Sequence, residues 1–263
     1  MAKIKKGKII TVTSMKGGVG KTTTVLLLAA MYKNLGKSVL MIDLDLYSGS
    51  LAFMLKADVK NSIYNICDDM NNNRYKGLNN GEYICHIEDQ IDLLASPKDP
   101  RQAGKVDKKC LKILMESVAN YYDVILVDTN HSLNVYSMLA FDYSDTILDI
   151  FTNDAISLKG TRTFISICKN IKTNNLVVAL NNGADDRKDY FSNYDIREVI
   201  GYNIDYIIPD SMYTRNYDMY IMEGSLLKAF SKIKSGKTYK SILSLATRLL
   251  EDNKKGVDEN EEE

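Results

Sequence analysis

The chain is expected to fold as a doubly wound α/β protein, a mainly parallel sheet with helices on both faces. Three observations predict it. Short β-branched runs alternate with helix-length segments, which is the pattern of a parallel sheet wrapped by helices. The first strand runs through a glycine-rich turn directly into a helix. A length of 263 residues, 45% of them apolar, is enough to bury one large core.

The elements follow in order. KIITVT reads as the first strand, and KTTTVLLLAAMYKNLG as a helix stopped by Gly36, since glycine tolerates the left-handed conformation just past a helix end. SVLMID reads as the second strand. YYDVILVD, DTILDIFT, NNLVVALN and IDYIIP read as further buried strands, and in such sheets ligands bind at the strands' carboxyl ends. Asp68 to Tyr83, DDMNNNRYKGLNNGEY, is rich in Asn and Gly and reads as a surface loop. One domain is expected over residues 1–252. Residues 253–263 carry too little apolar surface to pack and are expected to form a disordered acidic tail.

Lys plus Arg equals Asp plus Glu at 34 each, so the overall charge gives no argument for nucleic acid or membrane. The four cysteines, Cys67, Cys85, Cys110 and Cys168, lack CxxC spacing. This argues against a zinc site, a cluster or a disulfide framework, and they read as buried thiols in a reducing cytoplasm. No apolar run approaches the ~20 residues that span a bilayer, so a soluble, cytoplasmic protein is expected.

The chemistry concentrates in SMKGGVGKTTT. Gly17, Gly18, Val19 and Gly20 follow a strand and precede a helix, where backbone N–H groups can turn inward on phosphates beside the positive helix end. Lys21 is placed to reach the β- and γ-phosphates, the Thr22 hydroxyl to bind Mg²⁺, and Thr23 to lie in the same cradle. The usual phosphate-loop pattern has a glycine where this chain has Met15. Asp43 and Asp45 lie two residues apart at the second strand's end, so their side chains point the same way if the strand continues. Asp128 ends the apolar run VILV, the place for a carboxylate that holds Mg²⁺ directly or through water. Thr129, Asn130 and His131 follow it. His131 and His86 have no partners at metal spacing and read as ordinary polar residues.

With KGGVGKT in place of the usual loop, the sequence resembles the deviant Walker A ATPases of the ParA/MinD family, and the resemblance runs from Lys8 to about Leu250. It implies a P-loop fold that binds ATP and Mg²⁺, hydrolyses ATP slowly and forms a homodimer around the nucleotide. It further implies that Lys16 reaches the partner subunit's phosphates, that Asp45 positions the attacking water and that Asp43 sits near the metal. Positive charge delivered in trans makes catalysis conditional on the dimer. VVALNN and YIIPDS match the segments that hold adenine, which assigns Asn181, Pro209 and Asp210 to the base.

Ile91 to Asp128 looks like the matching segment of the TadZ/CpaE group, through Pro97, Pro100 and the spacing onward to Asp128. This implies a role in localising pilus assembly, with recruitment to a cell pole through protein partners. The alternatives are a ParA-type partition ATPase that binds DNA and a scaffold that binds nucleotide without hydrolysing it. Lys228, Lys232, Lys234, Lys237 and Lys240 are a candidate DNA-binding stripe, with Lys159, Arg162, Lys169 and Lys172 a weaker one. No direct membrane insertion is expected, because Ile242, Leu245, Ala246 and Leu249 in the last helix have core-facing spacing and the acidic tail would be repelled by anionic lipid. The tyrosines end at Tyr239, against a tyrosine-kinase tail, and no paired cysteines follow the motifs, against an electron carrier.

Overall fold

The computed structural model describes residues 6–78, 82–170, 175–182, 191–209 and 216–251. Its strands are β1 (Lys8–Thr13), β2 (Val39–Asp43), β3 (Cys85–Glu88), β4 (Ile91–Leu94), β5 (Val124–Asp128), β6 (Thr146–Phe151), β7 (Leu176–Asn181) and β8 (Tyr206–Ile208). They form one sheet in the order β3-β4-β2-β5-β1-β6-β7-β8, parallel throughout except for β3 against β4. The helices are α1 (Lys21–Asn34), α2 (Leu51–Met54), α3 (Ile63–Asn71), α4 (Pro100–Ala103), α5 (Lys108–Val118) and α6 (Val135–Tyr143). After these come α7 (Ala155–Asn170), α8 (Asn193–Ile200), α9 (Tyr217–Glu223), α10 (Leu226–Ser231) and α11 (Gly236–Leu250).

Helix α1 is buried almost all round, as its continuous apolar run requires, and packs with α10 and α11 on one face of the sheet. The Tyr32 hydroxyl donates to the Ala246 carbonyl at 2.9 Å, which ties α1 to α11 where burial leaves the phenol no water. Ile242, Leu245, Ala246 and Leu249 of α11 are buried, as their spacing predicts. The opposite face is covered by α3, α5 and α6 beside β2 and β5, and by α7 and α8 beside β6 and β7.

Three expectations change. First, β3 and β4 add a hairpin at the sheet edge, joined through Gln90 at φ 64°; strands of four residues carry too short a pattern to be read. Second, the Asn-rich segment begins as helix, because α3 runs to Asn71. Ser62 and Asn65 form a capping box there, and Ile63, Ile66 and Cys67 bury one face. Third, Cys67 of α3 and Cys110 of α5 form a disulfide with Cα atoms 5.4 Å apart. The pair is 43 residues apart in sequence and is made by the packing of α3 on α5, which no local spacing reveals. Cys85 is half-buried and Cys168 buried.

Candidate functional site

The carboxyl ends of β1, β2, β5 and β6 converge on the turn between β1 and α1. Gly18 and Gly20 hold φ of 75° and 96°, a region that only glycine enters without strain, and Gly20 is the N-cap of α1. A glycine N-cap offers no side chain to the first turn, so the helix's leading amides stay available to an anion. Met15, where the usual loop has glycine, packs against Gly160 of α7: a Cβ added there would lie 2.7 Å from the Met15 Cβ.

Lys21 is buried, and its Nζ donates to the Ser14 hydroxyl at 3.1 Å. Burial lowers its pKa, opposed by the carboxylates of Asp128, Asp45 and Asp149. The Thr22 hydroxyl donates to Asp128 Oδ2 at 2.6 Å, and Asp128 Oδ1 is buried with no hydrogen-bond partner among the described residues. Burial pushes Asp128 up to about 7, with the Thr22 hydrogen bond and the Lys21 charge pulling the other way. A hydroxyl and an under-bonded carboxylate beside a phosphate loop are a donor set that suits Mg²⁺, so the pair fits the ion the sequence implies.

Asp43 lies beside Asp128 in register and is fully buried. Its carboxylate accepts from the N–H groups of Asp45 and Leu51, both at 3.2 Å, so it anchors the loop between β2 and α2. Burial first, then Asp128, raises its pKa well above the ordinary carboxylate value. The strand stops at Asp43, so strand alternation does not fix the direction of Asp45. Asp45 lies in the following turn, where it accepts from the Ser48 N–H and hydroxyl, and its charge still reaches Lys21.

Lys16 Nζ donates to Asp154 Oδ2 of the same chain at 2.7 Å. Asp154 precedes α7 and also accepts from the Thr152 hydroxyl and the Ser157 N–H. Thr23 shares a hydrogen bond with the Tyr217 hydroxyl of α9, which places α9 against the loop. Asn181 is buried and donates to the Val19 carbonyl at 2.8 Å, while Pro209 follows β8 half-buried. Asp210 and Lys172 lie outside the described residues.

Sequence reasoning missed two groups. Asp154 and Tyr217 lie far from the loop in sequence, and only the ends of β6 and α9 bring them to it. Asp149 in β6 is the second omission. It pairs in register with Thr13, is fully buried, and neither carboxylate oxygen has a hydrogen-bond partner among the described residues. Burial pushes it up to about 7, opposed by the nearby Thr161 hydroxyl, which is outside hydrogen-bonding geometry, and by the Lys21 charge. The acid inside TILDIF is the signal that could have marked it.

A family model described as an AAA domain matches residues 7–181. The chain is 32% identical over 159 residues to the sporulation initiation inhibitor protein Soj of Bacillus subtilis, covering 59% of this chain and 62% of Soj. The aligned part is therefore less than two thirds of Soj's length. An uncharacterised ATP-binding protein of Methanocaldococcus jannaschii is 32% identical over 197 residues, covering 74% of this chain and 72% of that protein. A ParA family ATPase from Chlorobium tepidum has the same fold, with a TM-score of 0.78 at 22% identity over 92% of this chain and 98% of that one. The septum site-determining protein MinD of Pyrococcus horikoshii, solved with Mg-ADP, has a TM-score of 0.73 at 24% identity, covering 91% and 94%.

Fold and loop together define a P-loop nucleotide-binding protein. The chain belongs to the AAA-domain family.

Proposed function

We propose that the protein is an ATP-dependent dimerisation switch that positions or partitions a cellular cargo. The observation that carries this reading is the Thr22–Asp128 hydrogen bond beside a buried lysine, with Asp128 Oδ1 left without a partner among the described residues at the mouth of the loop. Mg²⁺ would be held by Thr22 and Asp128 and would neutralise charge on the β- and γ-phosphates. Gly17 through Thr23 cradle the phosphates, Lys21 turns from Ser14 toward them, and Asn181 and Pro209, with Asp210 after it, flank the base. Asp45 orients the attacking water, and Asp43 holds the turn that carries Asp45.

Dimerisation is supported by the apolar residues exposed at this same end of the sheet: Tyr47 at 53%, Phe53 at 63% and Ile156 at 73%. The Lys16–Asp154 pair must part before Lys16 can reach a partner subunit, so the pair holds the single chain in its resting form. Lys16→Ala should keep ATP binding and lose the dimer that Asp45→Ala accumulates with ATP and Mg²⁺. A normal ATP dimer of Lys16→Ala by light scattering would contradict the trans role.

A DNA-binding, partition-type reading is favoured by one specific observation. Lys228, Lys232, Lys234, Lys237 and Lys240 are all exposed across α10 and α11. Lys159, Arg162 and Lys169 are exposed on α7 as well. The pilus-localising reading rests on the resemblance of Ile91 to Asp128 alone. Fluorescence anisotropy with duplex DNA separates them: ATP-dependent, steeply salt-sensitive binding supports partition, and a dimer that ignores DNA supports a protein partner.

A further inference from the structure

The segment from Thr129 to Asn134, between β5 and α6, is pinned along its length. Thr129 donates its N–H and its hydroxyl to the Val12 carbonyl at 3.3 and 3.0 Å. Asn130 Oδ1 accepts from the Ser132 N–H and hydroxyl at 2.9 and 3.0 Å. Asn134 caps α6 by accepting from the N–H groups of Tyr136 and Ser137, and the Ser137 hydroxyl donates to the Ser132 carbonyl. His131 stands between these anchors. It is exposed and makes no hydrogen bond among the described residues.

Its ring turns to the phosphate loop. A Cβ added to Gly17 would lie 3.8 Å from His131 Nδ1 and 4.0 Å from its Cγ. The imidazole is thus a donor without a partner among the described residues, held by a fixed segment, on the same strand end as Asp128 and against the first glycine of the loop. Segments in this position can respond to a nucleotide when they touch the one phosphate that hydrolysis removes.

Resting on the reading of this site as one for ATP, we propose that His131 recognises the terminal phosphate. Its imidazole N–H donates to a γ-phosphate oxygen, and through that contact the segment leading into α6 distinguishes ATP from ADP. The hydrogen bonds around Thr129, Asn130 and Ser132 keep the ring aimed at the loop, so little ordering cost falls on binding.

The test is equilibrium binding of ADP and of a non-hydrolysable ATP analogue, each with Mg²⁺, to the full chain and its His131→Ala and His131→Gln variants. His131→Ala should bind the analogue about tenfold more weakly, the effect of one hydrogen bond to a charged group, with ADP affinity unchanged. His131→Gln keeps an N–H donor and should recover most of the loss. Because His131 is exposed, both variants should melt with the wild type, which separates the effect from misfolding. Equal losses for both nucleotides, or no loss for either, would overturn the assignment while leaving the ATP site intact. A wild type that binds neither nucleotide would overturn both readings.

Discussion

The two ends of the sheet use aspartate in opposite ways. At the amino ends, Asp123, Asp145 and Asp205 precede β5, β6 and β8, and each closes a reciprocal pair with a neighbouring strand. The Asp N–H donates to the carbonyl of Ser38, Ile9 or Val178, and the same residue's N–H donates back to the carboxylate at 2.9, 2.8 and 2.8 Å. At the carboxyl ends, Asp43 is likewise filled by backbone N–H groups, but Asp128 and Asp149 are buried beside the phosphate loop without such partners. Asp128 has one oxygen without a partner and Asp149 two, among the described residues. A carboxylate whose hydrogen bonds are filled by backbone holds the fold. One that is buried and under-bonded costs stability and remains open to a ligand.

The largest effect should come from removing the cation that faces the carboxyl-end acids. Lys21→Ala should weaken ATP binding by about a hundredfold, the upper range for a hydrogen bond to a charged group, as read by calorimetry. At the opposite end, Asp145→Ala strips the Ile9 N–H of its partner and should lower stability by about 1.5 kcal/mol in urea unfolding while leaving ATP affinity alone. If it changed affinity as much as stability, the two ends would not be separable.

The third effect has the other sign. The folded-state pKa of Asp149, pushed up to about 7, lies above its ordinary 3.8, so the folded protein holds a proton that the unfolded chain gives up. Its contribution is fully present below 3.8 and is lost as pH rises through 7. Asp149→Asn, which stays neutral, should therefore stabilise the protein at pH 8 and give no gain near pH 4. A stability difference that did not change between those pH values would mean that Asp149 is not a buried titrating acid.

Much of this division is legible in the sequence. YYDVILVD, DTILDIFT and IDYIIP each place an aspartate just before an apolar run, and the strands fall there. The loop is contiguous, so its glycine spacing and the Lys21–Thr22 pair can be read directly from the order of residues. Asp154, Tyr217 and the Cys67–Cys110 pair cannot, because each gains its partner only through packing of distant segments. The β3–β4 hairpin is hidden by strand length. Asp43 is legible as a site acid, but its use as an anchor for the loop depends on where β2 stops, and alternation along a strand does not specify its last residue.

The central claim is that Asp128 holds Mg²⁺ with Thr22 for a nucleotide in the loop. Titration of ATP into the wild type and Asp128→Asn, with and without Mg²⁺, tests it most directly. The arrangement predicts that Mg²⁺ strengthens ATP binding to the wild type and that this gain is lost in Asp128→Asn. An equal Mg²⁺ dependence in both proteins would contradict it.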